Sequence, residues 1–409
     1  MRASIAVVLT ALLAAWLVPT LRWAYIILVE HPLPAQYFAY GDAKTSCAVL
    51  HDDADELGFC EDVIRSQIAG RDVLLLSCDT NRHSWNTVMG PLRFPDTHGT
   101  LWLVDYTVES RFQPPKLELR GYHHNDFHPL GLALHGQTLF VVNHRKAAST
   151  IEVFQLEDSS SPSLRHIRTI SGRWIVSPNS IAATSASSFY ISQDHFFTRR
   201  LPFPLSPIFV KVETLLGLPL GWVNNVQLFD DGSVQVSTAV RGLSFPNGIA
   251  MDESGTQVAV ASSSRGYVHL FDRDPATHAL RRTDTLQLSF APDNLAYEGG
   301  TLIAAGHPHL PSLEGVARNK PGATAGSWIV SIDRRTNDTS ASDDSAAIYP
   351  SEKLASQPSR YIIRTLYQSN GHTGPGWGAS TTGVADLARG KFFATGLYSK
   401  GLLECRFRA

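Results

Sequence analysis

The chain has 409 residues, of which 43% are hydrophobic and 18% are charged, and this ordinary composition excludes global disorder. The formal net charge is −2 and no basic stripe is present, so a nucleic-acid partner is not expected. The length would allow two or three small domains. Large closed all-β folds, however, also reach this size as a single domain.

The N-terminus, residues 1–30, is predicted to be a signal-anchor. The chain is almost wholly apolar from Ala3 to Pro19, after Arg2, and it is apolar again from Trp23 to Val29. A basic start and an apolar middle are typical of a secretory signal, but Trp16–Val18 stand where cleavage requires small residues. An apolar run of about 18 residues is just long enough to span a bilayer. We therefore expect a membrane-anchored protein of the secretory pathway, or a secreted one; a buried core helix is the less favoured alternative because the segment has no polar face.

The chain contains four cysteines, Cys47, Cys60, Cys78 and Cys405. An even number of cysteines in a lumenal or extracellular protein suggests disulfide bonds, and four buried free thiols are the alternative. Asn337 begins an Asn-Asp-Thr sequon in a polar segment, which predicts a glycosylation site.

From about residue 60 the chain repeats one pattern, which consists of a small polar cluster, a short strand, a tight turn and a second strand. The six copies begin near Glu61, Pro129, Pro178, Pro246, Asp293 and Thr382. Their spacing is uneven but often matches the ~40 to 50 residues of a propeller blade. A β-sandwich would not explain a polar cluster at the same point of each copy. The sequence therefore predicts an all-β fold, a six-bladed β-propeller over residues 40–409, preceded by an N-terminal hydrophobic helix.

In a propeller the first strand of each blade lines the central tunnel, so the polar clusters should meet at one mouth. The clusters comprise Glu61, Asp62, His128, Leu130, Asn179, Ser180, Asn247, Asp293, Asn294 and residues 380–382. Carboxylate and amide oxygens dominate, and such hard ligands suit calcium better than zinc or copper. Crowded carboxylates also repel one another, and a divalent cation removes that cost. Simple turn residues are the alternative reading of Asn-Gly and Asp-Asn pairs, but their recurrence at equivalent positions favours a metal.

Several segments of the chain resemble successive motifs of the paraoxonase/arylesterase family, of which the chain would be a divergent member. These segments are Gly58–Asp62, Val141–His144, Ala148–Phe154, Gln193–Phe196, Phe245–Ile249, Pro292–Asn294 and Gly306–Pro308. They run in order from about Cys47 to Cys405. The resemblance implies a six-bladed propeller that holds calcium in its tunnel and hydrolyses lactones and aryl esters. It also implies an uncleaved N-terminal segment and a disulfide between Cys47 and Cys405.

The resemblance also assigns site residues. It implies a catalytic calcium held by Glu61, Asn179, Asn247, Asp293 and Asn294. It places His307 in the pocket and matches His144 to the outer member of the family's histidine pair. Two positions depart from the family pattern. Leu130 replaces the inner histidine, and Ser180 replaces an acidic ligand of a second, structural calcium, for which Asp62 and the carbonyl of Leu132 would remain.

The sequence thus predicts a calcium-dependent hydrolase whose substrate is a small-molecule ester or lactone. Calcium would polarise the carbonyl and stabilise the oxyanion. The candidate catalytic side chains are Glu61, Asp293, His144, His307 and His128, the last being two residues before Leu130. No G-x-S-x-G elbow is present, which argues against a nucleophilic serine. The alternatives are a strictosidine-synthase-like or gluconolactonase-like propeller acting on another small molecule, and a non-catalytic, membrane-tethered binding propeller. No protein partner is predicted.

Overall fold

The computed structural model describes residues 2–29, 33–39, 41–93, 98–108, 112–157, 162–335, 360–372 and 377–407. Within these ranges the strands form six sheets, antiparallel except for one added edge strand, arranged as the blades of a β-propeller, which confirms the predicted fold class. Asn337, the predicted glycosylation site, lies outside the described residues.

The blades follow one another along the chain, and in each the first strand is the innermost. Before the first blade come α1 (Arg2–Leu28), β1 (Tyr37–Phe38), α2 (Ala43–Ser46) and β2 (Cys47–Leu50). Blade 1 comprises β3 (Cys60–Ile68), β4 (Arg71–Cys78) and β5 (Thr100–Asp105). Blade 2 comprises β7 (Pro129–His135), β8 (Thr138–Asn143), β9 (Thr150–Glu157) and β10 (Ser163–Ile170), with β6 (Glu118–Arg120) added in parallel at its outer edge. Blade 3 comprises β11 (Pro178–Ser185), β12 (Ser188–Gln193), β13 (Gly221–Leu228) and β14 (Val234–Leu243).

The remaining three blades complete the circle. Blade 4 comprises β15 (Pro246–Met251), β16 (Gln257–Ser262), β17 (Tyr267–Arg273) and β18 (Leu280–Gln287). Blade 5 comprises β19 (Ala291–Glu298), β20 (Thr301–His307), β21 (Ser327–Arg334) and β22 (Tyr361–Ser369), with β1 at its outer edge. Blade 6 comprises β23 (Ser380–Asp386), β24 (Lys391–Gly396) and β25 (Leu402–Arg406), with β2 as its outermost strand.

The second strand of each blade is buried on both faces, because neighbouring blades pack against it from either side. Val73–Leu76 in β4 and Val258–Ala261 in β16 are almost fully buried, and they read in the sequence as continuous apolar runs rather than alternating ones. Between blades 2 and 3 the rings of Phe140 and Phe189 lie 4.8 Å apart. The hydrophobic core is therefore a ring of inter-blade layers around the tunnel.

Strand β2 closes the circle by pairing with β25, so that blade 6 contains both ends of the propeller. Cys47 and Cys405 are direct register partners and form a disulfide, as the family resemblance implies. Cys60 and Cys78 form a second disulfide between β3 and β4. The alternative of free thiols is wrong, because all four cysteines are bonded.

Three helices lie near one end of the tunnel. Helix α3 (Leu205–Leu216) follows β12, and helix α4 (Leu310–Ala317) follows β20; short 3₁₀ turns span Ser263–Arg265 and Leu387–Arg389. The final turns of α1 pack Trp23, Ile26 and Ile27 against Ala291 at the start of β19. The structure therefore confirms an N-terminal helix.

The position of α1 against the propeller does not show whether this helix enters a membrane. In the part of the chain that the structure describes, no helix has the length and apolar character needed to cross a membrane. The signal-anchor over residues 1–30 thus stays a prediction.

Candidate active site

In every blade the pairing between the first two strands slips near the start of the innermost strand. The slips lie between Cys60 and Asp62, Pro129 and Leu132, Pro178 and Ile181, Pro246 and Ile249, Pro292 and Leu295, and Ser380 and Thr382. Such β-bulges release residues from the ladder and re-aim their side chains. Because these six irregularities occupy equivalent positions, the polar clusters of the sequence repeat meet at one end of the tunnel.

The backbone around these bulges is strained and closely packed. Phe59, Phe245 and Ala379 each precede an innermost strand and have φ values of 52° to 53°, in the left-handed region. This conformation costs a non-glycine residue about 1–2 kcal/mol and is frequent at functional sites. At Gly248, a Cβ atom would lie 2.5 Å from the Cα atom of Asn294 in the next blade. Glycine is therefore required where adjacent innermost strands approach each other.

A cavity of about 310 Å³ opens at this end of the tunnel. Its polar floor consists of Glu61, Asn179, Asn247, Asp293 and His307. Its walls are apolar and come from Leu130 and from the helices, through Leu28 of α1, Val210 and Leu215 of α3, and Leu310 and Leu313 of α4. An apolar pocket with a few convergent polar groups is typical of a small-molecule site.

Four buried oxygen atoms at or beside this floor have no hydrogen-bond partner among the described residues. They are Glu61 Oε2, Asn179 Oδ1, Asn247 Oδ1 and Asn294 Oδ1. Buried polar atoms are nearly always paired, so each exception requires an explanation. Together they form a set of one carboxylate and three amide oxygens, which is the kind of donor set that calcium prefers.

Hydrogen bonds made by the amide nitrogens fix the orientation of the three asparagines. Asn179 Nδ2 donates to Asp194 Oδ2 at 3.2 Å, and Asn247 Nδ2 donates to Ser263 Oγ at 3.2 Å. Asn294 Nδ2 donates to Glu61 Oε1 at 3.0 Å. Because each amide nitrogen is engaged, each carbonyl oxygen remains free to bind a cation.

The buried carboxylates of the floor repel one another, and the charge of Arg82 offsets this only in part. Burial raises the pKa of Glu61 well above its usual range, and the charges of Asp62 and Asp293 raise it further. In the described residues, His, Cys, Asp and Glu side chains alone do not form a group of three that is suited to a metal ion. A site here therefore depends on the amide oxygens, and with them the residues present fit calcium.

The residues of the expected second calcium do not fit a metal in the same way. Asp62 Oδ1 accepts from the amide of Val63 at 2.8 Å and from Thr382 Oγ1 at 3.0 Å. Its Oδ2 accepts from the amide of Leu132 at 2.8 Å. Ser180 Oγ accepts from the amide of Ile249 at 3.3 Å. Both oxygens of Asp62 are thus paired within the protein, and the described residues offer no unsatisfied donor set at this position.

We therefore predict that the purified protein binds one calcium ion per chain. The variant Ser180→Asp restores the acidic residue that the family pattern has at this position, so its calcium content should rise towards two ions. Metal analysis by atomic emission after exhaustive dialysis measures both numbers. Two ions in the wild-type chain would contradict the prediction.

His307 and Asp293 form a buried pair at the cavity floor. His307 Nε2 lies 2.8 Å from Asp293 Oδ2, and His307 Nδ1 is buried without a hydrogen-bond partner among the described residues. In the tautomer whose Nε2–H donates a hydrogen bond to Asp293, Nδ1 carries a lone pair. The aspartate thus selects the tautomer that can accept a proton.

The structure places His144 and His128 outside the cavity lining. His144 Nε2 lies 2.6 Å from the carbonyl oxygen of Pro178, and its Nδ1 contacts the hydroxyl of Thr87. His128 Nδ1 lies 2.8 Å from Asp79 Oδ2, and both side chains are fully buried. Neither histidine therefore reaches the cavity, whose wall includes the apolar side chain of Leu130.

The ring of His144 should contribute to stability rather than to proton transfer near neutral pH. Burial lowers the pKa of His144 to about 4, whereas unfolding returns it to about 6.5. The unfolded state then binds more protons, so stability is lost as pH falls from about 6.5 towards 4. When the pH is lowered from about 7.5 to about 5, the unfolding free energy of His144→Gln should therefore fall by about 2 kcal/mol less than that of wild type. Urea denaturation at both pH values measures this difference, and equal losses would contradict it.

Several polar groups that line the cavity were not proposed as site residues from the sequence, and His195 and Asn86 are two of them. His195 lines the cavity; its Nδ1 lies 2.9 Å from Asp194 Oδ1 and its Nε2 lies 2.8 Å from Thr214 Oγ1. In the sequence, Asp194 and His195 stood out only as part of Gln193–Phe196, a segment that resembles the family. Asn86 also lines the cavity, but it belongs to a loop outside the repeat and carries no sequence signal.

Comparisons with known proteins show which family and which relatives the chain is similar to. The sequence model of the family described as Arylesterase matches residues 90–350, which is more than half of the chain. The chain is 27% identical over 285 residues to serum paraoxonase/arylesterase 2 of Canis lupus familiaris, covering 67% of this chain and 76% of the relative. It is 32% identical over 188 residues to serum paraoxonase/arylesterase 1 of Mus musculus, covering 45% and 49% of the two chains. Among solved structures, a luciferin-regenerating enzyme matches with a TM-score of 0.46 and 10% identity, over 88% of this chain and 97% of the other.

Proposed function

This chain belongs to the arylesterase family, and we propose that it is a calcium-dependent hydrolase of carboxylic esters, with lactones and aryl esters as substrates. At the coarser level of ester and lactone hydrolysis, family membership supports this function. The observation that carries the proposal is the set of four buried, unpaired oxygens on Glu61, Asn179, Asn247 and Asn294. A cation held by these residues and Asp293 gives all of them a partner.

The chemistry is divided between the ion and the side chains around it. Bound calcium supplies Lewis-acid polarisation of the ester carbonyl and stabilises negative charge on its oxygen. His307 accepts through Nδ1 the proton of the water whose oxygen attacks the carbonyl carbon, and Asp293 holds the ring through Nε2. The bond to the leaving oxygen then breaks, and that oxygen recovers the proton. The apolar walls exclude bulk water, which strengthens the interactions at the floor.

Hydrolysis of phenyl acetate and of γ- and δ-lactones by the full chain tests this function. We expect turnover in calcium, its loss when the ion is chelated, and its recovery when calcium is added back. Circular dichroism with and without chelator is the control for unfolding. A folded, calcium-loaded protein that hydrolyses none of these compounds would contradict the proposal and leave a binding propeller as the better description.

We also propose that the protein works in the secretory pathway, attached to a membrane through α1. The two disulfides support an oxidising compartment. Val7, Leu13 and Val18 of α1 are 68%, 59% and 64% exposed, which is unusual for large apolar side chains in water. Leu13→Asp with Val18→Asp should move the protein from the membrane fraction to the supernatant after carbonate extraction, and an unchanged distribution would contradict the attachment.

A further inference from the structure

The rim of the cavity carries charged side chains that ester hydrolysis does not use. Arg199 lies in the loop between β12 and α3, and it lines the cavity with Lys211 of α3 and Glu314 of α4. Lys211 lies 3.5 Å from Glu314, which Arg318 also contacts, so one carboxylate is shared by two cations. Among the described residues Arg199 has no acidic partner within ion-pair distance. This end of the cavity therefore has an excess of positive charge, and Arg199 is the cation without an ion-pair partner.

The side chain of Arg199 is held in place from one side. Its Nε donates to the carbonyl oxygen of Val88 at 3.0 Å. Its Nη1 lies against Gly90, where an added Cβ atom would be 3.4 Å away. Burial lowers the pKa of Arg199, while the charge of Glu314 raises it and that of Arg318 lowers it further. Because Glu314 is already paired with Lys211 and Arg318, the partly desolvated guanidinium has no counter-charge of its own. A bound anion would supply that charge.

The cavity lining near Arg199 is mainly apolar, since Arg199 bonds to Val88 and apolar side chains dominate the rest. Val88 and Met89 contribute to it from the loop after blade 1's second strand, and Leu313 contributes from α4. A ligand whose carbonyl lies at the floor must therefore pass an apolar wall before it reaches the rim. Its middle should be hydrocarbon, and only its outer end can meet a charge.

We propose that the substrate is an acidic ester or lactone, with a reacting carbonyl, an apolar stretch and an outer carboxylate or phosphate that Arg199 binds. This inference rests on the proposed ester hydrolysis. A guanidinium presents a planar fork of N–H donors that matches either oxyanion. Calcium at the floor offsets the charges of Glu61 and Asp293, so the acidic floor does not repel such a substrate.

Paired substrates test the inference. The phenyl half-ester of adipic acid is compared with its neutral phenyl methyl diester, and a phenyl ester with a terminal phosphate distinguishes phosphate from carboxylate. Wild type should show a kcat/KM about tenfold higher for an acidic member than for the neutral one, and Arg199→Gln should bring this ratio close to one. Arg281→Gln is the matched control, because Arg281 is exposed, pairs with Asp272, lies on the outermost strand of blade 4 and is not part of the cavity lining. It should keep the wild-type ratio.

Calorimetry with adipate and hexanoate separates this inference from the proposed function. Adipate should bind about tenfold more tightly than hexanoate, and Arg199→Gln should remove the difference. If no ester is hydrolysed but this preference is found, ester hydrolysis fails and the anion site stands. If neutral esters are hydrolysed while wild type shows neither the kinetic nor the binding preference, the anion site is overturned and the hydrolase stands.

Discussion

Replacement of Asp293 by Asn should lower kcat by about 10²- to 10⁴-fold, which is the contribution expected of a positioned general base. Asp293 has two functions in the proposed site. One carboxylate oxygen lies 2.8 Å from His307 Nε2 and selects the proton-accepting tautomer, and the carboxylate is also a predicted calcium ligand. Asn removes the negative charge that both functions need. Steady-state hydrolysis of phenyl acetate at saturating calcium measures the effect.

Asp386→Asn is the control for this substitution. Asp386 is equally buried and also lies on an innermost strand, but its carboxylate accepts from the hydroxyl of Tyr106 and pairs with Arg389. This variant should lose stability and keep the wild-type kcat per folded molecule. If Asp293→Asn kept wild-type kcat, Asp293 and His307 would not perform the proton transfer proposed here.

The two disulfides, removed one at a time, should differ in their effects. Loss of Cys47–Cys405 should cost more stability, whereas loss of Cys60–Cys78 should weaken calcium binding more. The Cys47–Cys405 bond joins residues 358 positions apart, whereas Cys60–Cys78 spans 18. Loop-closure entropy then predicts a loss of about 6 kcal/mol of unfolding free energy for Cys47→Ser with Cys405→Ser, and about 3 kcal/mol for Cys60→Ser with Cys78→Ser. Urea denaturation measures both losses.

Calcium affinity should follow the reverse order. Cys60 immediately precedes Glu61, and the bond to Cys78 fixes β3 to β4 at the edge of the bulge that releases Glu61. Loss of this bond should weaken calcium binding by about 10- to 100-fold, as loss of groups that orient metal ligands does. The Cys47–Cys405 variant, altered in the outer strands of blade 6, should bind calcium with nearly wild-type affinity. Equal affinities in the two variants would contradict a positioning role for Cys60–Cys78.

The propeller was predictable because the same sequence pattern recurs in each blade. Each innermost strand begins with polar residues, as at Asn179 and Asn247, and each second strand is an apolar run, as at Val258–Ala261. The predicted oxygen ligands belong to the same repeat, so their convergence follows from the closed symmetry of the fold. Their side-chain orientation does not follow, because partners such as Ser263 and Asp194 lie elsewhere in the chain.

The upper part of the cavity could not be predicted in this way. Helices α3 and α4 are inserted between strands and follow no repeat, so the apolar walls from Val210 and Leu313 have no periodic signal. The positions of His144 and His128 depend on contacts with Pro178 and Asp79, which belong to other segments of the chain. Sequence spacing places such residues near a strand end but does not show which atoms they bind.

Calcium titration followed by thermal unfolding is the most direct test of the central claim, the metal site built from unpaired oxygens. Saturating calcium should raise the unfolding temperature of wild type, because an ion that binds only the folded state stabilises it. Asn247→Ala should lose most of this shift. Asn225→Ala should keep it, because Asn225 is similarly buried but is not part of the cavity lining. A wild-type protein whose unfolding temperature does not respond to calcium would contradict the account.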